Sequence, residues 1–518
     1  MSLSDKKLTL LRQKITEGLR IQQNTGDVVK YIDPAHVVGD VCAKQNHTIF
    51  ARRGCGKTLL LHYSSHLLES TPIRTVYLNC EDFKRHSFPN VLIEILDALF
   101  RELERHLTGW FGKKKKSKEL VQQIRNDLVR LRTSADVQEE AVRQLISLEK
   151  SKSADVNLGI QANGVNAKLG SNLTSKNKNE TERTFKLRSD KLRELDTWLP
   201  RLKEQVREFF ENSTSVSAVF LQIDDLYHLK KIDQPFVIDF IHRLCKDLPL
   251  YFKVATLRHA SSLYMDIDGQ PIGAQERNDY QPINIDYTFS DFSRTRDQNL
   301  KIFYEFGKSA SITPAEIDSL FKGTGFDRLV MAGGGVPRDT LSLFLEVLGT
   351  VKYQGGEKIG KDDVRVMSKA NFEMRIGELK QDSEGGEQDI LMRGIYVLRE
   401  FCLDKKSNVF LISEKTLQQD DELRSLIHRL LDYRIIHSAA SALTHKSQQG
   451  TYQAFAIDIG CYAHLRKLDG KFKEVDVSAK DLKESLRSAP IIDHADFMAQ
   501  LKSTPENVER ALLTDEFG

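Results

Sequence analysis

A glycine-rich loop ending in Lys-Thr, caught between an apolar strand and an amphipathic helix, restricts this chain more than any other stretch. Asn46-His47-Thr48-Ile49-Phe50 reads as a β-strand, and Ala51 to Thr58 follows the spacing G-x-x-x-x-G-K-[ST] with alanine at the first glycine. Leu59 to Leu68 continues as a helix. Small residues let consecutive backbone N–H groups turn inward around a phosphate at a helix N-terminus, where the dipole also favours an anion. Gly54 and Gly56 supply that freedom, and Ala51, Arg53, Cys55 and Leu59 complete the loop. Lys57 is expected to reach the β- and γ-phosphates and the Thr58 hydroxyl to ligate Mg²⁺, so the cofactors implied are ATP and Mg²⁺. The competing reading is a glycine turn with an exposed lysine; the flanking strand and helix favour the nucleotide.

With 518 residues, 40% of them hydrophobic, the chain can bury a large core and should divide into about three domains. A net charge of +3 gives no global signature of a nucleic-acid binder, so such a site would have to be a local patch. The six cysteines are scattered without zinc spacing and read as reduced thiols. Cys55 alone invites a second reading, as an oxidation target inside the loop. No apolar run reaches membrane-spanning length, which predicts a soluble, cytoplasmic protein with no membrane partner.

Residues 1–45 form a helical lead-in, with a basic amphipathic helix from Lys7 to Gln22 and a turn at Tyr31-Ile32-Asp33-Pro34. Strand 74–80 and helix 88–106 follow the loop, and strand-helix alternation implies a parallel sheet. An insertion at 108–212 interrupts the order and is too long and polar for an ordinary crossover. Its apolar spacing at Leu120, Ile124, Leu128, Leu131 and at Val137, Val142, Leu145, Leu148 predicts an antiparallel helical arm, returning over 187–210. A hairpin signal surrounds Ala162-Asn163-Gly164 near its tip. Lys113 to Lys116 reads as a solvated loop or, less favoured, a phosphate-contacting patch.

Ser217 to Asp225 is a buried strand ending in two carboxylates. Asp224 is placed to hold Mg²⁺, and Asp225 to orient or deprotonate an attacking water. Strand 252–257 ends at Arg258, where a γ-phosphate can be sensed, and Gln281 to Ile285 gives a fifth strand. Beyond Ser293 the pattern is helical, and Arg338 opens a helix after the turn Gly333-Gly334-Gly335. A cation there slightly disfavours the helix, which hints that it serves a phosphate.

Together, Ala51 to Thr58, Phe220 to Asp225, Thr256-Leu257-Arg258 and Gly335-Val336-Pro337-Arg338 resemble the AAA+ and STAND branch of P-loop ATPases, in particular origin-recognition-complex-like ATPases. The resemblance spans Thr48 to Thr350 without the arm. It implies that Lys57 and Thr58 are the Walker A residues, Asp224 and Asp225 the Walker B pair, Thr256 or Arg258 the first sensor, and Arg338 the second sensor on a helical lid. Ala51 for glycine, and Asp225 where most AAA+ members carry glutamate, depart from the pattern; the Asp224-Asp225 pair and the Thr256-Leu257-Arg258 sensor look more like STAND switches than ring motors, which implies low turnover.

Such ATPases commonly carry a C-terminal winged helix, and the residues supply one independently: helix 388–401, strand 409–412, helix 422–433, then strands 435–439 and 452–457 around a wing. Arg424, Arg429 and Lys446 are its candidate contacts to double-stranded DNA, against the equal alternative of a protein contact. The expected whole is an α/β chain with a parallel-sheet P-loop NTPase core (46–292), a helical lid (293–370), a winged-helix domain (371–470) and a helical tail (471–518). Homo-oligomerisation is expected by resemblance. So is an alternative role as a genome-defence adaptor regulating a separately encoded effector.

Overall fold

The structure, a computed structural model, describes residues 5–19, 30–105, 115–132, 193–383, 386–463 and most of 472–512, apart from isolated positions within them. Five parallel strands form the central sheet: β1 His47–Phe50, β2 Ile73–Asn79, β3 Ala218–Asp224, β4 Leu250–Thr256 and, beyond a hairpin of β5 Tyr264–Ile267 and β6 Gln270–Gly273, β7 Gln281–Asn284. Their order is β2-β3-β4-β1-β7, so β4 lies between the loop strand and the aspartate strand. Register pairs Phe50 with both Thr256 and Asn284, and Asn79 with Asp224. All five C-terminal ends therefore share one edge, where open α/β sheets bind ligands. Every residue of β3 is buried, Gln222 and Asp224 included, and the other five are apolar.

Helices over 115–132 and 193–212 are the described parts of the insertion, and they bring Ile124, Leu128, Leu202 and Phe209 into the core that also holds Leu96 and Leu99 of the helix Asn90–Arg105. The hairpin at 162–164, the apolar spacing of 137–148 and Lys113 and Lys114 lie outside the described residues. Lys115 and Lys116 pair with Glu119 at 3.7 Å and Glu208 at 2.5 Å.

The lid helices Phe292–Ser309, Gly325–Ala332 and Pro337–Tyr353 lead into the long helix Lys361–Asp382. A three-stranded antiparallel unit follows, with β8 Val409–Ser413, β9 Ile436–Thr444 and β10 Thr451–Ile457 in the order β8-β10-β9, and the helices Gly386–Asp404 and Asp421–Asp432 against it. One apolar core runs from Leu11 and Ile15 of the N-terminal helix Asp5–Gly18 through Phe303, Phe344 and Phe372 to Phe410 and Phe455. The lid and the strand unit are thus built on a common core, and Lys361–Asp382 crosses the 370/371 boundary expected between them. The tail, expected to be helical, is helical only in part: Leu411 N–H donates to Pro490 and Ile492 N–H to Leu411, so an extended segment adds to β8 before the helix His494–Ser503.

Lys253 is wholly buried in β4, with Nζ donating to the carbonyls of Ala43 and Gln45, both at 2.7 Å, and 2.9 Å from His47 Nδ1. Burial pushes its ammonium down to about 7, against 10.5 for the unperturbed side chain. Between those values the unfolded chain holds a proton that the folded chain has given up, so this group makes stability rise with pH, by up to ~1.4 kcal/mol per unit. Lys253→Met should remove that slope. Urea midpoints of wild type and variant, compared from pH 7 to pH 9.5, check it; parallel pH profiles would refute it.

Candidate functional site

Gly54 and Gly56 hold φ of 83° and 89°, left-handed values that let the loop curl ahead of the helix Lys57–Leu68. Lys57 is buried over the loop, its Nζ donating to the carbonyls of Ala51 at 3.0 Å and Arg52 at 3.3 Å. Thr58 Oγ1 donates to Asp224 Oδ2 at 2.6 Å, and Tyr77 donates to the same oxygen at 2.8 Å. Burial, and after it the charge of Asp225, pushes the Asp224 carboxyl up to about 6. Two hard oxygen donors meeting beside a phosphate loop are a donor set that fits Mg²⁺. Asp225, at φ 52°, ends β3 in the left-handed region and faces the cleft.

That cleft, of about 2760 Å³, runs from the loop to the lid and is several times larger than an ordinary small-molecule pocket. Tyr31 packs beside Gly56, and with Ile32, Ile302, Phe306 and Leu341 it gives the cleft an apolar end. Arg338 lines the cleft too, and its backbone N–H donates to the Gly54 carbonyl at 3.3 Å. A Cβ on Gly54 would stand 2.8 Å from Val336 Cγ1 and 2.9 Å from Arg338 Cβ, so the lid helix begins in contact with the phosphate loop.

Gly54, Cys55, Gly56, Lys57, Thr58, Leu59, Arg53, Asp225 and Arg338 share the cleft, whereas Thr256 and Arg258 do not line it. The Thr256 hydroxyl is buried against Ser261. Arg258 turns away, 3.0 Å from Glu276 and 4.3 Å from the Phe50 ring centre. Cys55 is buried with Sγ 3.6 Å from Asp286, and burial pushes its thiol well up, so it is a protonated packing residue rather than an oxidation target.

The three basic residues expected to contact DNA are each paired with a carboxylate. Arg424 pairs with Asp421, Arg429 with Glu387 at 2.9 Å, and Lys446 with Glu484 at 2.8 Å. The helix Asp421–Asp432 faces the sheet edge: His428 stacks on His259 at 4.0 Å, and Asp432 accepts from the N–H groups of His259 at 3.2 Å and Ala260 at 2.7 Å.

Sequence reasoning missed the groups that join these parts. Arg52 is buried and its guanidinium reaches Asp286 at 2.8 Å, the Gly334 carbonyl at 3.0 Å and His437 Nδ1 at 3.3 Å. Arg434, wholly buried just ahead of β9, pairs with Glu378 and with Asp339 at 3.0 Å and donates to the Arg53 carbonyl at 3.4 Å. The only signal was Asp286 itself, a carboxylate two residues beyond the end of β7.

No protein-family model and no curated protein matches the chain. Among solved structures it is similar to Cdc6p from Pyrobaculum aerophilum, at 13% identity over 90% of this chain and 97% of that one with a TM-score of 0.33. It is similar too to the Aeropyrum pernix ORC2 protein, at 10% identity, 89% and 97% coverage and a TM-score of 0.36. A Walker-type ATPase of Pyrococcus abyssi gives 12% identity, 86% and 98% coverage and a TM-score of 0.38. At such identities and scores the assignment rests on the chain's own geometry. By its loop, strand order and carboxylate pair this chain has a P-loop NTPase fold.

Proposed function

We propose that the chain is a nucleotide-switch ATPase that binds ATP with Mg²⁺ between the phosphate loop and the lid and uses the bound state to set the position of its C-terminal unit. The observation that carries this is the meeting of Lys57, Thr58, Asp225 and Arg338 around one cleft, with Asp224 bonded to Thr58 behind them. Lys57 would leave its loop carbonyls for the phosphates, and Thr58 with Asp224 would hold the metal, directly or through water. Mg²⁺ supplies charge neutralisation across the phosphate oxygens when bound. Asp225 would orient the attacking water and take its proton, and Arg338 would reach the γ-phosphate from the lid. Because Arg338 starts a helix that shares its core with the strand unit, that reach is a movement of both.

The three-stranded unit is read as a winged helix whose second helix docks on the ATPase core through His428 and Asp432, rather than standing free to read bases. Engagement of DNA or of a partner protein would then follow a change in that docking.

Asp225→Asn tests the chemistry. Nucleotide affinity should stay within about twofold, while turnover falls by about 10²-fold or more, the usual contribution of a positioned base. Titration calorimetry and phosphate release measure the two. Turnover at the wild-type rate would remove Asp225 from the reaction.

A further inference from the structure

Arg338 does not stand alone at the lid. Its Nη2 lies 3.4 Å from Glu378 Oε1, and the other oxygen of Glu378 is taken by Arg434. Arg434 also reaches Asp339, whose second oxygen accepts from Arg375 at 3.2 Å; Arg375 pairs with Asp458, and Asp458 lies 3.0 Å from His437 Nε2. His437 closes the circuit on Arg52 of the phosphate loop. Burial pushes the His437 imidazole down to about 4, so it is neutral: Nε2–H donates to Asp458 and the Nδ1 lone pair accepts from Arg52. Four arginines, Arg52, Arg338, Arg375 and Arg434, thus face four carboxylates, Asp286, Asp339, Glu378 and Asp458, across the loop, the lid and the C-terminal unit. Gly334 makes this fit: at φ 63° it presses on His437, where a Cβ would come within 2.5 Å of Cε1.

Arg338 and Arg434 share Glu378 and, with Arg338 Nε at 3.8 Å, Asp339 as well; of the four carboxylates Glu378 alone lines the cleft, whereas Asp339 is buried. We propose that Glu378 and Arg434 are positioning residues that set how freely Arg338 reaches a bound γ-phosphate: Arg338 and Arg434 compete for Glu378, so Arg434 seated on that carboxylate favours ATP binding. This deepens the ATPase reading above and rests on it. Arg434 draws charge from Glu378 and leaves Arg338 more weakly held. Without Arg434, Glu378 holds Arg338 more tightly and the γ-phosphate loses its partner. ADP offers Arg338 no γ-phosphate and stays indifferent.

The two residues therefore carry opposite expectations, which a merely structural role would not give. On the full chain with Mg²⁺, Glu378→Gln should tighten a non-hydrolysable ATP analogue by roughly fivefold and leave ADP within twofold. Arg434→Met should weaken the analogue by roughly fivefold or more, again sparing ADP. The double variant should behave like Glu378→Gln, because the competing carboxylate is gone. Should Arg434→Met fail to fold, Glu378→Gln in an Arg338→Ala background decides, since the gain must vanish there. Equal shifts for ATP analogue and ADP, or a loss of affinity in Glu378→Gln, overturn the proposal. If Lys57→Ala binds nucleotide as wild type does, it is the ATPase reading that fails, which these variants reveal separately.

Discussion

Lys57→Ala should lose ATP binding by about 30-fold to 3000-fold while the protein stays folded. Lys57 is buried at the start of its helix and has only two carbonyl partners, those of Ala51 and Arg52. Phosphate oxygens would replace neutral acceptors with charged ones in a site shielded from water, and truncating one side of such a pair costs roughly 2–5 kcal/mol, which is that range of affinity. Lys57→Arg should not rescue it. A planar fork cannot substitute for a compact ammonium in a loop whose neighbouring glycines are already at left-handed φ. Calorimetric titration of both variants, with circular dichroism as the folding control, gives the answer. Wild-type affinity in Lys57→Ala would end the nucleotide reading.

Asp286→Ala should be the most destabilising single change at the site, by about 3–5 kcal/mol, with ATP affinity falling alongside. Asp286 receives Arg52 Nε at 2.8 Å, Nη2 at 2.8 Å and the Arg52 backbone N–H at 3.1 Å, and it is the only carboxylate that Arg52 touches among the described residues. Removing it leaves a guanidinium buried at 6% exposure against the carbonyls of Gly334 and Tyr287 and one imidazole. The loop carrying Lys57 would shift with it. Combining Asp286→Leu with Arg52→Met should recover part of the stability, because no charge is then left unpaired. Urea midpoints for single and double variants test both statements, and a loss below 1 kcal/mol in Asp286→Ala would show that the pair contributes little.

The nucleotide loop and the five strands of the central sheet were legible because their causes are local. Stretches rich in apolar and β-branched residues between turn residues announce β1 to β4, the alternation of Ile283 and Ile285 marks β7, and Gly54-Cys55-Gly56-Lys57-Thr58 carries its chemistry in its spacing. The β5–β6 hairpin was not legible: each strand has four residues, none of them buried, so no alternation marks it. The circuit from Arg52 to Arg434 was hidden for a different reason. Its bonded members are 21 to 385 residues apart, and a charged residue in a sequence looks the same whether it is solvated or paired in a core. Arg429 illustrates the converse. Its place on the polar face of a helix suggested a free cation, but that face meets the ATPase core and Arg429 is bound to Glu387.

The hydrogen bonds between Leu411 and the segment around Pro490 to Ile492 have a consequence for solubility. β8 is an outer strand of its sheet and carries Val409, Phe410, Leu411 and Ile412 in succession, all buried. Long apolar edges recruit strands from other chains, and proteins commonly cap them. Here the cap is supplied in cis by residues some eighty positions later in the sequence, and Pro490, which has no N–H to offer, contributes only a carbonyl. A chain ending before Ser488 would uncover that edge, and the β-rich aggregates it forms would be seeded by β8.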